Sequence, residues 1–269
     1  MLTASLAGAV LLGFLQGLTE FLPVSSSGHL ALAQVFVDVP GDDLFFDLVL
    51  HLGTLVPAIA FFWTDIERTL RDLVGGERPF WEREGVRMAW LVVLGTIPTG
   101  VIGLGLKDVF EAQFSSLDAI GWGFLISAAW LWATAKVTEG QRDVADVAWW
   151  MAVLIGVAQG ISISPSISRS GATIATALLL GLRRDVAVRL SFLMSFPSIL
   201  GACLLQARDV DLATVRVGEA ALGAAVALVV GWAALGLLVR LVQQGRLAWF
   251  SLYLLALGVF SLGLAWTGA

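Results

Sequence analysis

Glu20, Ser25, Ser26, Ser27 and His29 stand close together in the segment Gln16-Gly-Leu-Thr-Glu20-Phe-Leu-Pro-Val-Ser25-Ser26-Ser27-Gly28-His29. An acid, three consecutive hydroxyls and an imidazole thus sit inside a largely apolar stretch of chain. A second segment reads Ser162-Ile-Ser164-Pro165-Ser166-Ile-Ser168-Arg169-Ser170-Gly171-Ala172-Thr173. Ionisable groups in apolar surroundings are costly to keep and mark functional sites. A helix start bearing free N–H groups and serine hydroxyls is a ready anion site. Arg169, flanked by Ser168 and Ser170, adds a two-pronged cation to such a start, which suits phosphate. Charge neutralisation, an attacking oxygen and a proton donor are what phosphoryl transfer requires. A plainer reading has the serines capping helices, His29 merely hydrogen-bonded, and Arg169 paired with Glu20. The two readings merge if a substrate displaces that pairing.

The elements that must position these residues are membrane helices. The chain of 269 residues is 58% hydrophobic and 14% charged, and the apolar residues are gathered into long runs. About 20 apolar residues are needed to cross a bilayer core. Six runs approach that length: 45–63, 88–106, 119–137, 190–206, 220–239 and 247–267. Four others, at 2–15, 30–37, 148–161 and 174–182, are too short to cross alone. The short runs form two pairs, each joined by one of the two polar segments above. A helix-breaking link between two half-length apolar runs predicts a re-entrant hairpin, tolerated where protein or a wet cavity surrounds it.

The hairpins resemble each other. Gly13, Gln16, Gly17, Ser25, Ser27 and Gly28 are matched at one constant offset by Gly156, Gln159, Gly160, Ser168, Ser170 and Gly171. Each hairpin is followed by three runs of spanning length, so the chain reads as a tandem repeat, residues 1–140 and 141–269, in one membrane domain. A unit with three crossings must insert its second copy upside down. The predicted fold class is therefore an all-α polytopic membrane protein of two inverted-topology repeats, each a re-entrant helical hairpin plus three transmembrane helices. With that count, one face collects Arg68, Arg71, Arg78, Arg83, Arg87, Lys136, Arg142, Arg183, Arg184, Arg189, Arg240 and Arg246, and the other only Lys107, Arg208 and Arg216. The positive-inside rule then puts the rich face in the cytoplasm and both termini outside.

Other features exclude more than they assign. No Lys/Arg cluster is interleaved with aromatics, so nucleic acid is not an expected partner. Cys203 is the one cysteine, which precludes an intramolecular disulfide. The mixed-charge stretch 64–87 reads as a cytoplasmic amphipathic loop. His51 and Asp47 lie within an apolar run, either as polar packing residues or lining the cavity. Pro57, Pro98 and Pro197 are expected to bend helices.

The string Glu20-Phe-Leu-Pro-Val-Ser-Ser-Ser-Gly-His29, with Ser168-Arg169-Ser170-Gly171-Ala172-Thr173, resembles the undecaprenyl-diphosphatase family, the membrane enzymes linked to bacitracin resistance. The similarity spans nearly the whole chain. It implies hydrolysis of a polyprenyl diphosphate to the monophosphate, which recycles the lipid carrier of cell-envelope synthesis. It also implies a plasma-membrane enzyme with an active site open to the outer face, and it is compatible with a homodimer. Carried over by resemblance, Glu20 is the essential acid, Ser26 the proposed nucleophile, His29 the essential histidine and Arg169 the phosphate-binding arginine. Gln16, Ser25, Ser27, Gly28, Gln159, Ser168, Ser170, Gly171 and Thr173 complete the implied substrate-binding set. The nucleophile stays open between Ser26, His29 and a directly attacking water. Enzymes of the family depend on Mg2+ or Ca2+, which implies an ion held weakly through Glu20 and the substrate phosphates. The family often has a second acid where this chain has Gln16, and Pro-Gly where it reads Pro165-Ser166. A flippase for polyprenyl phosphate would share the repeats and the phosphate site.

Overall fold

The computed structural model describes residues 2–34, 43–114, 116–208 and 216–267. Among the described residues there are twelve α-helices and no β-strand. Helices α1 (Leu2–Phe21) and α2 (Ser26–Gln34) make the first hairpin, and α8 (Trp149–Ile161) and α9 (Arg169–Leu179) the second. The remainder are α3 (Asp43–Phe61), α4 (Trp63–Val74), α5 (Glu84–Gly105), α6 (Lys107–Phe114), α7 (Leu117–Trp132), α10 (Arg184–Gln206), α11 (Val217–Gln243) and α12 (Phe250–Thr267).

Four helices, α5, α10, α11 and α12 with its preceding turn, are long and apolar enough to cross a bilayer. Two bent pairs raise the number to six if each is one span: α3 with α4, bent by 69°, and α6 with α7. All six predicted runs thus coincide with helices. Exposed Trp90, Trp122, Trp132, Trp149, Trp232, Trp249 and Trp266 give the outer surface its aromatic character, as expected of a multi-pass membrane protein.

Several boundaries differ from the sequence reading: α1 runs six residues past the apolar run 2–15 and so takes Gln16 and Glu20 into a helix, and α7 stops five residues before the end of the run 119–137. Residues 64–87 are not loop throughout, because the first half folds as α4. Asp65 in its first turn and Arg71 in its last complement the helix dipole, and Arg71 pairs with Glu67 at 2.5 Å. Helix α10 begins six residues before the apolar run, carrying Arg189 inward. Arg189 can be held there because Asp65 at 2.6 Å and Glu84 at 2.8 Å neutralise it. The ion pairs Arg183–Asp143 and Arg184–Glu139, with the bond from Arg184 to the Gln243 carbonyl, tie the polar connections at one end of the molecule.

Helix packing follows a crossed pattern. Helix α1 lies against α11, α8 lies against α5, and α7 lies against α12. Glycines allow the closest approaches. A Cβ on Gly13 would stand 2.3 Å from the Gly223 carbonyl oxygen, and one on Gly156 would stand 2.0 Å from that of Gly95. Small residues of this kind let membrane helices pack backbone to backbone. The largest apolar core includes Phe124, Ile174, Leu190 and Met194 together with Phe21, Leu22 and Val24 of the first hairpin.

Candidate active site

The carboxylate of Glu20 is the hub of the site. It lies near the C-terminal end of α1 with its side chain 6% exposed. Gln16, one turn earlier, donates from Nε2 to Glu20 Oε2 at 3.1 Å. Ser26, the first residue of α2, donates to the same oxygen at 2.5 Å. Arg169, the first residue of α9, pairs through Nη2 with Glu20 Oε1. His51 of α3 brings Nε2 to 3.7 Å from Glu20 Oε2, its Nδ1 bonded to the Asp47 carbonyl at 2.8 Å. Four elements therefore converge on one buried acid. The Arg169 cation compensates its charge, and three further groups face its oxygens; a buried carboxylate without such partners would be strongly destabilising.

The two hairpin tips are built alike. Ser25 Oγ accepts from the Gly28 N–H at 3.4 Å and lies 3.2 Å from Ser27 Oγ. Ser168 Oγ accepts from the Gly171 N–H at 3.1 Å and lies 3.3 Å from Ser170 Oγ. Each serine caps its helix and leaves the first turn with N–H groups facing the loop. The tips also touch. A Cβ on Gly28 would stand 2.5 Å from Ser166 Oγ, and one on Gly171 would stand 3.2 Å from Pro23 Cβ. At Gly28 a side chain would collide with Ser166 of the other hairpin and with Phe124, whereas at Gly171 it would meet Ser168 of its own hairpin first and Pro23 only tightly. Ser170 Oγ donates to the Phe21 carbonyl at 3.0 Å, fastening the start of α9 to the end of α1.

The remaining sequence-selected residues divide. Thr173 is fully buried, donates to the Arg169 carbonyl at 2.8 Å and meets Ser191 Oγ of α10. Gln159 bonds away from Glu20: Nε2 reaches Ser198 Oγ at 2.8 Å, Thr99 Oγ1 at 3.1 Å and the Met194 carbonyl at 3.3 Å. It ties α8 to α5 and α10. His29 bonds through Nδ1 to the Ser25 carbonyl at 2.7 Å and through Nε2 to Tyr253 Oη of α12 at 2.6 Å. The reading in which Arg169 pairs with Glu20 across the two hairpins is what the side chains do.

A narrow pocket opens onto Glu20 and Arg169. Thr54, Ser170, Ser191 and Ser195 line it alongside Phe21 and Phe192. Thr54, Ser191, Ser195 and Tyr253 were not singled out from the sequence. A serine or threonine in an apolar helix usually bonds its own backbone, as Ser195 does to the Phe192 carbonyl at 2.8 Å, so its type alone does not mark it. Among the described residues, no three of His, Cys, Asp and Glu converge as metal ligands.

Residues 9–260 match the family model described as bacitracin resistance protein BacA. The chain belongs to the BacA family. An undecaprenyl-diphosphatase of Desulfosudis oleivorans is 44% identical, over 96% of this chain and 97% of the relative. Proteins of the same name from Carboxydothermus hydrogenoformans and Methanosphaera stadtmanae are 39% and 36% identical, covering 93% and 94% of this chain and 94% and 96% of theirs. At Pro165-Ser166, where the sequence resemblance implied Pro-Gly, the backbone is unusual. Ser166 adopts φ 66°, the left-handed region that glycine enters without penalty, and its buried Oγ has no hydrogen-bond partner.

Proposed function

We propose that this BacA-family protein is a membrane phosphatase that hydrolyses undecaprenyl diphosphate to the monophosphate and inorganic phosphate. The observation that carries the mechanism is the convergence of Ser26 and Arg169, from separate hairpins, on the carboxylate of Glu20. A hydroxyl 2.5 Å from a buried carboxylate has a base in place, which a serine nucleophile requires. The terminal phosphate enters at Arg169 and the N-termini of α2 and α9, displacing the guanidinium from Glu20. Ser26 Oγ attacks the terminal phosphorus and passes its proton to Glu20 as the bridging P–O bond breaks. His29, three residues on and so on the same side of α2, gives a proton from Nε2 to the departing lipid phosphate. Water then attacks the phosphoserine and returns a proton to His29, while Glu20 returns its proton to Ser26.

Mg2+ or Ca2+ would meet two oxygen donors here, the Glu20 carboxylate and Gln16 Oε1, which is buried and without a hydrogen-bond partner. Both are hard ligands suited to such ions, and their small number leaves most of the affinity to the diphosphate. The ion would supply neutralisation of phosphate charge.

The crossed packing, α1 on α11 and α8 on α5, supports two inverted repeats with re-entrant hairpins, since a pseudo-two-fold axis between such repeats would exchange these pairs. The cation asymmetry supports termini outside and a site open to the outer face. Single cysteines at Gly76 and Asp108 should then be labelled from opposite sides of the membrane; labelling from the same side would remove the inverted arrangement.

Rapid quenching with substrate labelled at its terminal phosphate tests the nucleophile. An acid-stable label on Ser26 is the expected result. An acid-labile label on His29, or no protein label in a single turnover, would overturn the serine route.

A further inference from the structure

Tyr253 is the only tyrosine of the chain, and it lies in α12 far from both motifs in sequence. Its hydroxyl stands 2.6 Å from His29 Nε2, and its ring stacks on the imidazole at 13° with centroids 5.7 Å apart. The other ring nitrogen of His29 bonds the Ser25 carbonyl at 2.7 Å. A carbonyl can only accept, so this hydrogen bond holds a proton on Nδ1. Nε2 is therefore the nitrogen that exchanges protons or attacks, and Tyr253 is the group upon it. The Phe124 ring also packs against the imidazole, nearly perpendicular to it at 78° with centroids 5.5 Å apart.

We propose that Tyr253 is a positioning residue for the phosphatase: it holds the imidazole of His29 with Nε2 aimed and covers that nitrogen until substrate takes its place. This rests on the reading that His29 acts at the phosphate. A phenol suits the task because its oxygen is both donor and acceptor. It donates to Nε2 when the ring is neutral and accepts from Nε2–H when the ring is charged. The contact can thus re-form with either state of the ring once substrate has left, whereas a lysine or a glutamate would favour one state. Tyr253 is half-exposed at the outer surface of the helix bundle, so it also separates Nε2 from the surroundings of α12.

Tyr253→Phe keeps the stacked ring and removes only the hydroxyl, and the test is made on full-length protein in detergent at fixed pH. The first reading is the rate at which diethyl pyrocarbonate modifies His29, resolved from His51 by peptide mass spectrometry. It should rise about fivefold, the factor to which one neutral hydrogen bond corresponds. The second is a fall of about tenfold in kcat with KM nearly unchanged, the loss expected when a reacting group is left misaligned. An unchanged modification rate at His29 overturns the proposal, even if kcat falls, because Tyr253 would then act only through packing. The modification rate does not depend on phosphate release, so it reports even if the parent protein proves not to be a phosphatase. Should Tyr253→Phe fail to fold, a 13Cζ-tyrosine label in the parent gives one resonance. That resonance should shift in His29→Gln, and its constancy would equally overturn the proposal.

Discussion

Replacing Arg169 by lysine keeps the charge and removes the planar fork, which makes it the sharpest probe of how the two hairpins cooperate. In the resting site Arg169 Nη2 is paired with Glu20 Oε1, with the two side chains 27% and 6% exposed. Glu20 is thus deep enough that solvent screens the pair only in part, and a lysine ammonium can still neutralise it. The loss therefore falls on the substrate. A guanidinium gives the phosphate two parallel N–H donors fixed by the start of α9, where lysine offers a single rotating point charge. Losing one preorganised donor at a developing charge costs about 3–4 kcal/mol, or roughly 100- to 1000-fold. Arg169→Lys should accordingly lower kcat/KM by at least about 100-fold, measured as phosphate release from the lipid diphosphate in detergent. Thermal unfolding should move little, since the ion pair with Glu20 can re-form. A variant retaining near-normal kcat/KM would refute the reasoning and reduce Arg169 to bulk charge. A variant that unfolds in proportion to its loss of activity would assign the residue to structure instead.

Two further substitutions test neighbouring parts of the site. Ser166→Gly relieves a left-handed backbone and a buried unpartnered hydroxyl, offset in part by glycine's greater freedom in the unfolded chain. A net gain of about 1 kcal/mol should appear as a raised Tm, with Ser166→Ala lower than Ser166→Gly because it keeps the strained φ; a lower Tm for the glycine variant would contradict the strain. Activity should rise with Mg2+ or Ca2+ over a high-micromolar to millimolar range, and Gln16→Glu should shift that range downward. Calorimetry showing tight ion binding without substrate would contradict the weak two-oxygen set.

Much of this architecture was legible because the membrane imposes length. Half-length apolar runs joined by Ser/Gly/Pro links announced α1–α2 and α8–α9, and all six longer runs became helices. What escaped depended on distant partners. The start of α10 was hidden because Arg189 is acceptable inside a helix only once Asp65 and Glu84 are brought to it. Helix α4 was hidden by its polarity, although Asp65 and Arg71 at its ends were local signals. In the site, the matched motifs pointed to Glu20, Ser26 and Arg169, and repeat symmetry suggested Gln159 equally. The side chain of Gln159 is instead engaged by Thr99 and Ser198 on α5 and α10, a choice that no symmetry argument contains. Tyr253 lay beyond reading for the same reason, being 224 residues from His29.

The central claim is that the Glu20-centred cluster cleaves the terminal phosphate from a polyprenyl diphosphate. The most direct measurement follows inorganic phosphate released from undecaprenyl diphosphate by the purified protein, beside Glu20→Gln, which keeps the size of the side chain and removes the base. The parent should release phosphate steadily, and Glu20→Gln should release none at any concentration of Mg2+ or Ca2+. Release by Glu20→Gln at the parental rate, or no release by the folded parent, would contradict the account.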